Sequence, residues 1–354
     1  MKLGEALISY IEYGKKGGNK GLSFGYLPKL RSVIPNVQRG KIYTILGGTG
    51  AGKSIIGVHN FGFECLLDYH KNYKSNTDLK FHWFLNSLEM DLETLLVRFT
   101  SYMLLRDYGK VISTDMITHT DGKVLPEDAE NIIRTDIAPL LDAVSENITI
   151  YHQMTVGKMK QILFDYYGKH GTFERDVYGD INGYKTDKTL FVLMTVDHVA
   201  LLTGDGSTKS KIDELAGLEI GMTTLFKTTF VNLQQLNRQE GDIQKILKMS
   251  TPKPALHEAK DSGTLIDASH VVIAPFHPNR FDIRSYLDLD ISVTELGFRD
   301  SYRAVYVLKQ RSGRLGMVHI AFYGIAGFIR ELPELNQITE TLKRKIRQSI
   351  PFWK

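Results

Sequence analysis

The chain has 354 residues, 42% of them hydrophobic and 24% charged, which supplies a buried core and excludes disordered and collagen-like classes. A single cysteine, Cys65, excludes an intrachain disulfide and a cysteine-rich zinc ribbon. The formal net charge is +4, yet residues 1–41 hold eight Lys or Arg against two Glu, so the basic excess is concentrated in an N-terminal arm. No signal-peptide-like segment and no run of 18 apolar residues occurs, so a cytoplasmic protein without membrane contact is expected.

Residues 1–20 are expected to form a basic helix or linker arm. Apolar, β-rich runs follow at 42–46 (IYTIL), 81–85 (FHWFL), 148–151 (ITIY), 190–196 (LFVLMTV), 228–233 (TTFVNL), 271–274 (VVIA), 304–308 (AVYVL) and 317–322 (MVHIAF). Near-continuous apolar strands are buried on both faces, so the expected class is α/β, a mainly parallel sheet flanked by helices. KQRSGRLG joins the last two runs and reads as a β-hairpin. Residues 158–167 have a helical apolar pattern, and exposed insertions are expected at 175–188 and 277–299. Leu335, Ile338, Leu342, Ile346 and Ile350 recur at helical spacing beside Lys343, Arg344, Lys345 and Arg347. That pattern predicts a basic amphipathic C-terminal helix within 333–354.

The first strand runs into Gly47, Gly48, Thr49, Gly50, Ala51, Gly52, Lys53 and Ser54, which fits G-x-x-x-x-G-K-[ST] at every fixed position. A helical pattern follows from 55 to 69. Glycines there let backbone N–H groups converge on phosphates, and the following helix presents its positive end. Lys53 is placed to bridge the β- and γ-phosphates and Ser54 to ligate Mg²⁺, so a nucleoside triphosphate is the expected ligand. Asp197 ends the run 190–196 and is the candidate Walker B carboxylate, a second ligand for Mg²⁺. His198 beside it reads as a hydrogen-bonded spacer rather than a base. Asn86-Ser87-Leu88-Glu89-Met90 puts the Glu89 carboxylate at a strand tip on the same sheet edge. There it can deprotonate an attacking water; the plainer alternative is a helix-start Glu.

Taken in order, these residues resemble the RecA-like ATPase domain of DnaB-type replicative DNA helicases. The landmarks are Gly21-Leu22-Ser23-Phe24-Gly25, the P-loop, Ser87-Leu88-Glu89-Met90, Asp197, Gln234-Gln235-Leu236-Asn237-Arg238, the stretch Pro254 to Gly263, and Lys309-Gln310-Arg311-Ser312-Gly313. The match spans residues 21–332. It departs at His198, at Glu258-Ala259-Lys260 and at His270, where the family has Tyr, Asp-Leu-Arg and Asp.

The resemblance implies a RecA-like P-loop ATPase core that uses ATP and Mg²⁺. Glu89 is then the general base and Gln235 the γ-phosphate sensor. Lys309 and Arg311, two apart and so on one strand face, would act in trans on the nucleotide of the adjacent subunit. A homo-hexameric helicase translocating on single-stranded DNA is implied, with a separate primase or loader as a possible partner class. The family's N-terminal collar has no counterpart in the 20 residues before the match, an architecture that suits a phage or mobile element acting in a host cytoplasm. For DNA, the loop after Gln235 offers Arg238, Lys245, Lys248 and Lys253, cations able to follow phosphates without reading sequence. Two other readings stay open. One is a RecA- or KaiC-like ATPase that switches or scaffolds without unwinding, and the other a P-loop kinase for a small substrate.

Overall fold

The computed structural model describes residues 3–15, 19–75, 78–236, 252–259, 263–292, 294 and 297–353. Each apolar run forms a strand. In chain order the strands are β1 (Ile42–Gly47), β2 (Leu79–Ser87), β3 (Ile148–Tyr151), β4 (Thr172–Arg175), β5 (Ile181–Lys185), β6 (Thr189–Asp197) and β7 (Thr229–Gln235). They continue with β8 (Val271–Phe276), β9 (Ser285–Tyr286), β10 (Leu289–Asp290), β11 (Tyr302–Gln310), β12 (Gly316–Tyr323) and β13 (Phe328–Glu331). Nine of them build one sheet in the order β13-β12-β11-β8-β1-β7-β6-β2-β3. The six from β8 to β3 are parallel, and β11, β12 and β13 extend the sheet antiparallel. This is a RecA-like α/β fold with the expected C-terminal hairpin.

Alternate residues of the central strands serve two cores. Ile45, Trp83, Leu85, Leu193, Val231 and Leu233 pack with Ile56, Phe61, Phe63 and Phe99 from helices on one face. Ile42, Phe84, Met194 and Phe230 meet the helices Val156–His170 and Thr208–Phe226 on the other. Both faces are covered, which is why the strands read as unbroken apolar runs. The helix after the P-loop opens with π-type turns over Ile55–Phe63 and continues as α-helix over Glu64–Asn72. It lies so close to the sheet that a Cβ on Gly62 would stand 2.2 Å from Cζ2 of Trp83.

Some elements differ from the sequence expectation. The 175–188 stretch is largely the second half of a β4–β5 hairpin, whose turn is held by the Asp176 carboxylate accepting from the Tyr178 and Asp180 N–H groups. The C-terminal helix is shorter than its periodicity predicts, running only from Glu340 to Arg347. Thr339 starts it by accepting from the Leu342 N–H, and Ser349 at φ +58° turns the chain away after it. Leu335 therefore sits in a preceding 3-10 turn and Ile350 beyond the helix end, while Lys343 is buried and paired with Glu340 at 2.9 Å. Among the described residues no helix is long and apolar enough to cross a membrane.

Candidate nucleotide site

Parallel strands bring their carboxyl ends to one edge of a sheet, the usual place for ligands in such folds. Here β1 ends at Gly47 opposite Gln235 of β7, and β2 ends at Ser87 opposite Asp197 of β6. The P-loop, Gln235, Asp197 and the segment carrying Glu89 thus meet at one edge. Gly50 at φ +72° and Gly52 at φ +102° supply the left-handed turns of the loop, where a side chain would be strained. Lys53 Nζ folds back to the Gly48 carbonyl at 3.2 Å, and Gln235 Nε2 donates to Thr49 Oγ1 at 3.2 Å.

Asp197 is 1% exposed, and its Oδ2 is buried with no hydrogen-bond partner. Burial pushes its carboxyl up to about 6; the nearby Ser54 hydroxyl and Lys53 oppose this, and Glu89 adds to it. A buried carboxylate oxygen left without a partner beside a serine hydroxyl fits Mg²⁺, which takes one or two protein ligands plus phosphate oxygens and water. Among the described residues no group of three or more His, Cys, Asp or Glu forms a dedicated metal cage.

Glu89 does not start a helix. Asp91 does, accepting from the Thr94 N–H at 2.8 Å and so capping Leu92–Met103. The Leu88 N–H bonds the Asp197 carbonyl at 2.8 Å, tying the Glu89 segment to the Walker B strand. Glu89 Oε1 stands 3.1 Å from Nε2 of His198. Burial holds His198 below its ordinary value although Glu89 pulls it up, so near pH 7 a neutral imidazole donates to the carboxylate.

Lys309 of β11 and Arg311, which lies in the turn just past that strand rather than on it, converge on the end of the helix Gly263–Ala268 in their own chain. Lys309 Nζ donates to the Ile266 and Asp267 carbonyls at 2.7 and 3.0 Å, and Arg311 Nη2 to the Asp267 carbonyl at 2.6 Å. Both lie toward the opposite end of the sheet from the P-loop. The Arg311 N–H bonds the His270 carbonyl, and the His270 N–H bonds the Ile42 carbonyl, so Arg311 is level with the start of β1. Gly47 ends that strand, roughly 16 Å away at about 3.3 Å per residue. Of the DNA candidates, Lys253 is exposed, and Arg238, Lys245 and Lys248 lie outside the described residues.

Two arginines at the P-loop were not legible in the sequence. Arg280, in the stretch read as an insertion, donates through Nη1 to the Thr49 carbonyl, and Arg303 of β11 donates through Nη2 to the Gly50 carbonyl at 3.3 Å. By contrast, a cavity of about 770 Å³ lined by Tyr69, His82, Tyr151, Tyr166 and Lys169 opens beside the edge strand β3, remote from these groups.

No protein-family model matches the chain, and no curated protein matches its sequence. Solved structures do match its fold. The ATPase domain of G40P aligns over 94% of this chain and 99% of its own, with a TM-score of 0.66 and 18% identity. A DnaB-like replicative helicase, in a structure describing its interactions with primase, aligns over 94% of this chain and 67% of its own, with a TM-score of 0.64 and 17% identity. The chain therefore has the fold of replicative-helicase ATPase domains.

Proposed function

We propose that this protein is an ATP-hydrolysing motor of the DnaB type that forms a ring, a homo-hexamer, and translocates on single-stranded DNA as a helicase. The observation that carries the reading is the set at one sheet edge. It combines a P-loop, a buried Asp197 with an unused oxygen against Ser54, and a Glu89 carboxylate freed from helix capping by Asp91. In this reading residues 21–332 are the motor domain, flanked by the 1–20 arm and the 333–354 segment.

The P-loop N–H groups and Lys53 hold the triphosphate; Ser54 and Asp197 hold Mg²⁺, which neutralises phosphate charge when bound. Glu89 takes the proton from water positioned at the γ-phosphate, with the neutral His198 N–H fixing the carboxylate's orientation. Gln235 reports the γ-phosphate by exchanging its bond to Thr49 for one to the phosphate. Arg311 is too far from its own P-loop to assist it, which supports service to a neighbouring subunit, with Lys309 beside it on the same helix end. Lys253, with Arg238, Lys245 and Lys248, would contact DNA phosphates, and a primase or loader would be a separate partner.

The test measures ATP hydrolysis with and without single-stranded DNA, and strand separation on a forked duplex, at known oligomeric state. Stimulation with unwinding supports the motor. DNA-independent hydrolysis without unwinding replaces it by the switch or scaffold reading, and phosphate transfer to an acceptor other than water replaces it by a kinase.

A further inference from the structure

Among the described residues Arg303 has no carboxylate within ion-pair distance. It is 3% exposed, and its Nη1 donates only to the Asp300 and Tyr302 carbonyls at 2.6 and 2.7 Å. Nη2 reaches Gly50, and Nε is buried with no partner. The neighbouring Asp300 carboxylate is turned to solvent, 3.3 Å from His277 Nε2 and 3.2 Å from Asn279 Nδ2. Among the described residues no carboxylate pairs with the guanidinium. It lies instead 4.1 Å over the ring of Phe322, and that ring packs on Gly52, 3.1 Å from where a Cβ would be. Beside it the exposed Arg280 holds the Thr49 carbonyl.

A loop whose N–H groups converge on a phosphate turns its carbonyls outward, and here two successive outward carbonyls are held by arginines of the same chain. We propose that Arg303, with Arg280 beside it, is a positioning residue of the nucleotide site, bracing the P-loop from behind and finding its missing negative charge in the bound phosphates. The inference rests on the P-loop holding a nucleoside triphosphate. Burying an unpaired charge is costly. Burial accordingly draws the Arg303 guanidinium down to about 9, with Asp300 opposing and Arg280 adding to the shift. An anion entering the loop relieves that cost, and the relief grows with the anion's charge.

Calorimetric binding of ATPγS and of ADP, each with Mg²⁺, to the wild type, Arg303→Met, Arg280→Gln and Lys53→Ala tests this, alongside thermal melting of the nucleotide-free proteins. Arg303→Met should melt no lower than wild type without nucleotide, because an apolar stem replaces a buried unpaired charge. It should bind ATPγS about tenfold or more weakly, a step of about one pK-sized unit of free energy, and lose less for ADP. Arg280→Gln, at an exposed site that does not endanger folding, should show a smaller loss in the same order. Equal losses for the two nucleotides, or losses under twofold in both variants, overturn the proposal. If Arg303→Met does not fold, Arg303 is a structural residue, and the proposal survives only if Arg280→Gln weakens ATPγS more than ADP. Binding that Lys53→Ala leaves intact removes the P-loop reading itself, a result distinct from binding lost in Lys53→Ala but untouched in both arginine variants.

Discussion

Glu89 and Asp197 share one sheet edge but occupy different environments, Glu89 half-exposed against His198 and Asp197 sealed against Ser54. A carboxylate that can reach solvent is suited to taking a proton from water, and a sealed one to holding a cation. Glu89→Gln should therefore bind ATP nearly as wild type and slow hydrolysis by about 10²-fold or more, as single-turnover assays with parallel binding measurements would reveal. Normal hydrolysis would make Glu89 structural. A second buried acid, Glu219 in the helix Thr208–Phe226, is fully buried with neither carboxylate oxygen hydrogen-bonded, and burial pushes it up to about 8 although Asn232 opposes this. Between its ordinary value near 4.5 and about 8 the folded protein keeps a proton that the unfolded chain gives up. Stability thus falls as pH rises through that window, by at most about 1.4 kcal/mol per pH unit, and levels off above it. Glu219→Gln should gain stability over wild type in urea unfolding at pH 8 but little at pH 5; an equal difference at both would mean the acid is not protonated in the fold. Glu89 was legible because it follows an apolar run. Arg303 was not, because it precedes one and its partner Gly50 lies 253 residues away along the chain.

Most strands legible as apolar runs are covered on both faces, whereas the edge strand β13 escaped. β13 reads FIRE, with two charges in four residues, yet its Glu331 accepts from the Lys29 and Leu30 N–H groups at 2.7 Å each, satisfying the start of the helix Pro28–Val33. A carboxylate spent on a helix 301 residues away leaves no local pattern. The P-loop helix shows the converse case, a glycine whose purpose only packing explains. Gly62→Ala should force Trp83 or the helix to shift, costing about 1–3 kcal/mol by overpacking, measurable by urea unfolding. A change under about 0.5 kcal/mol would mean the helix moves away from the sheet at little cost.

For the molecule as a whole, the proposed trans role turns on the separation of Arg311 from its own P-loop along β1. Arg311→Ala should keep ATP binding and lose roughly 10³-fold in turnover, the scale of a missing arginine finger. Mixing it with Lys53→Ala subunits, each inactive alone, should restore part of the activity, because some contacts then join an intact P-loop to an intact Arg311. No recovery in demonstrated mixed oligomers would leave Arg311 with its role at the helix end, bonded to Asp267. The same separation fixes the kind of symmetry such an assembly can have. A contact that joins one end of the sheet to the other end of the next copy is head-to-tail, so each added subunit exposes a fresh unmatched surface. Growth stops only when the rotation per step closes on itself; otherwise it continues as a helical filament. An open row of n subunits completes n − 1 sites and a closed one completes n, so closure adds a site without adding a chain.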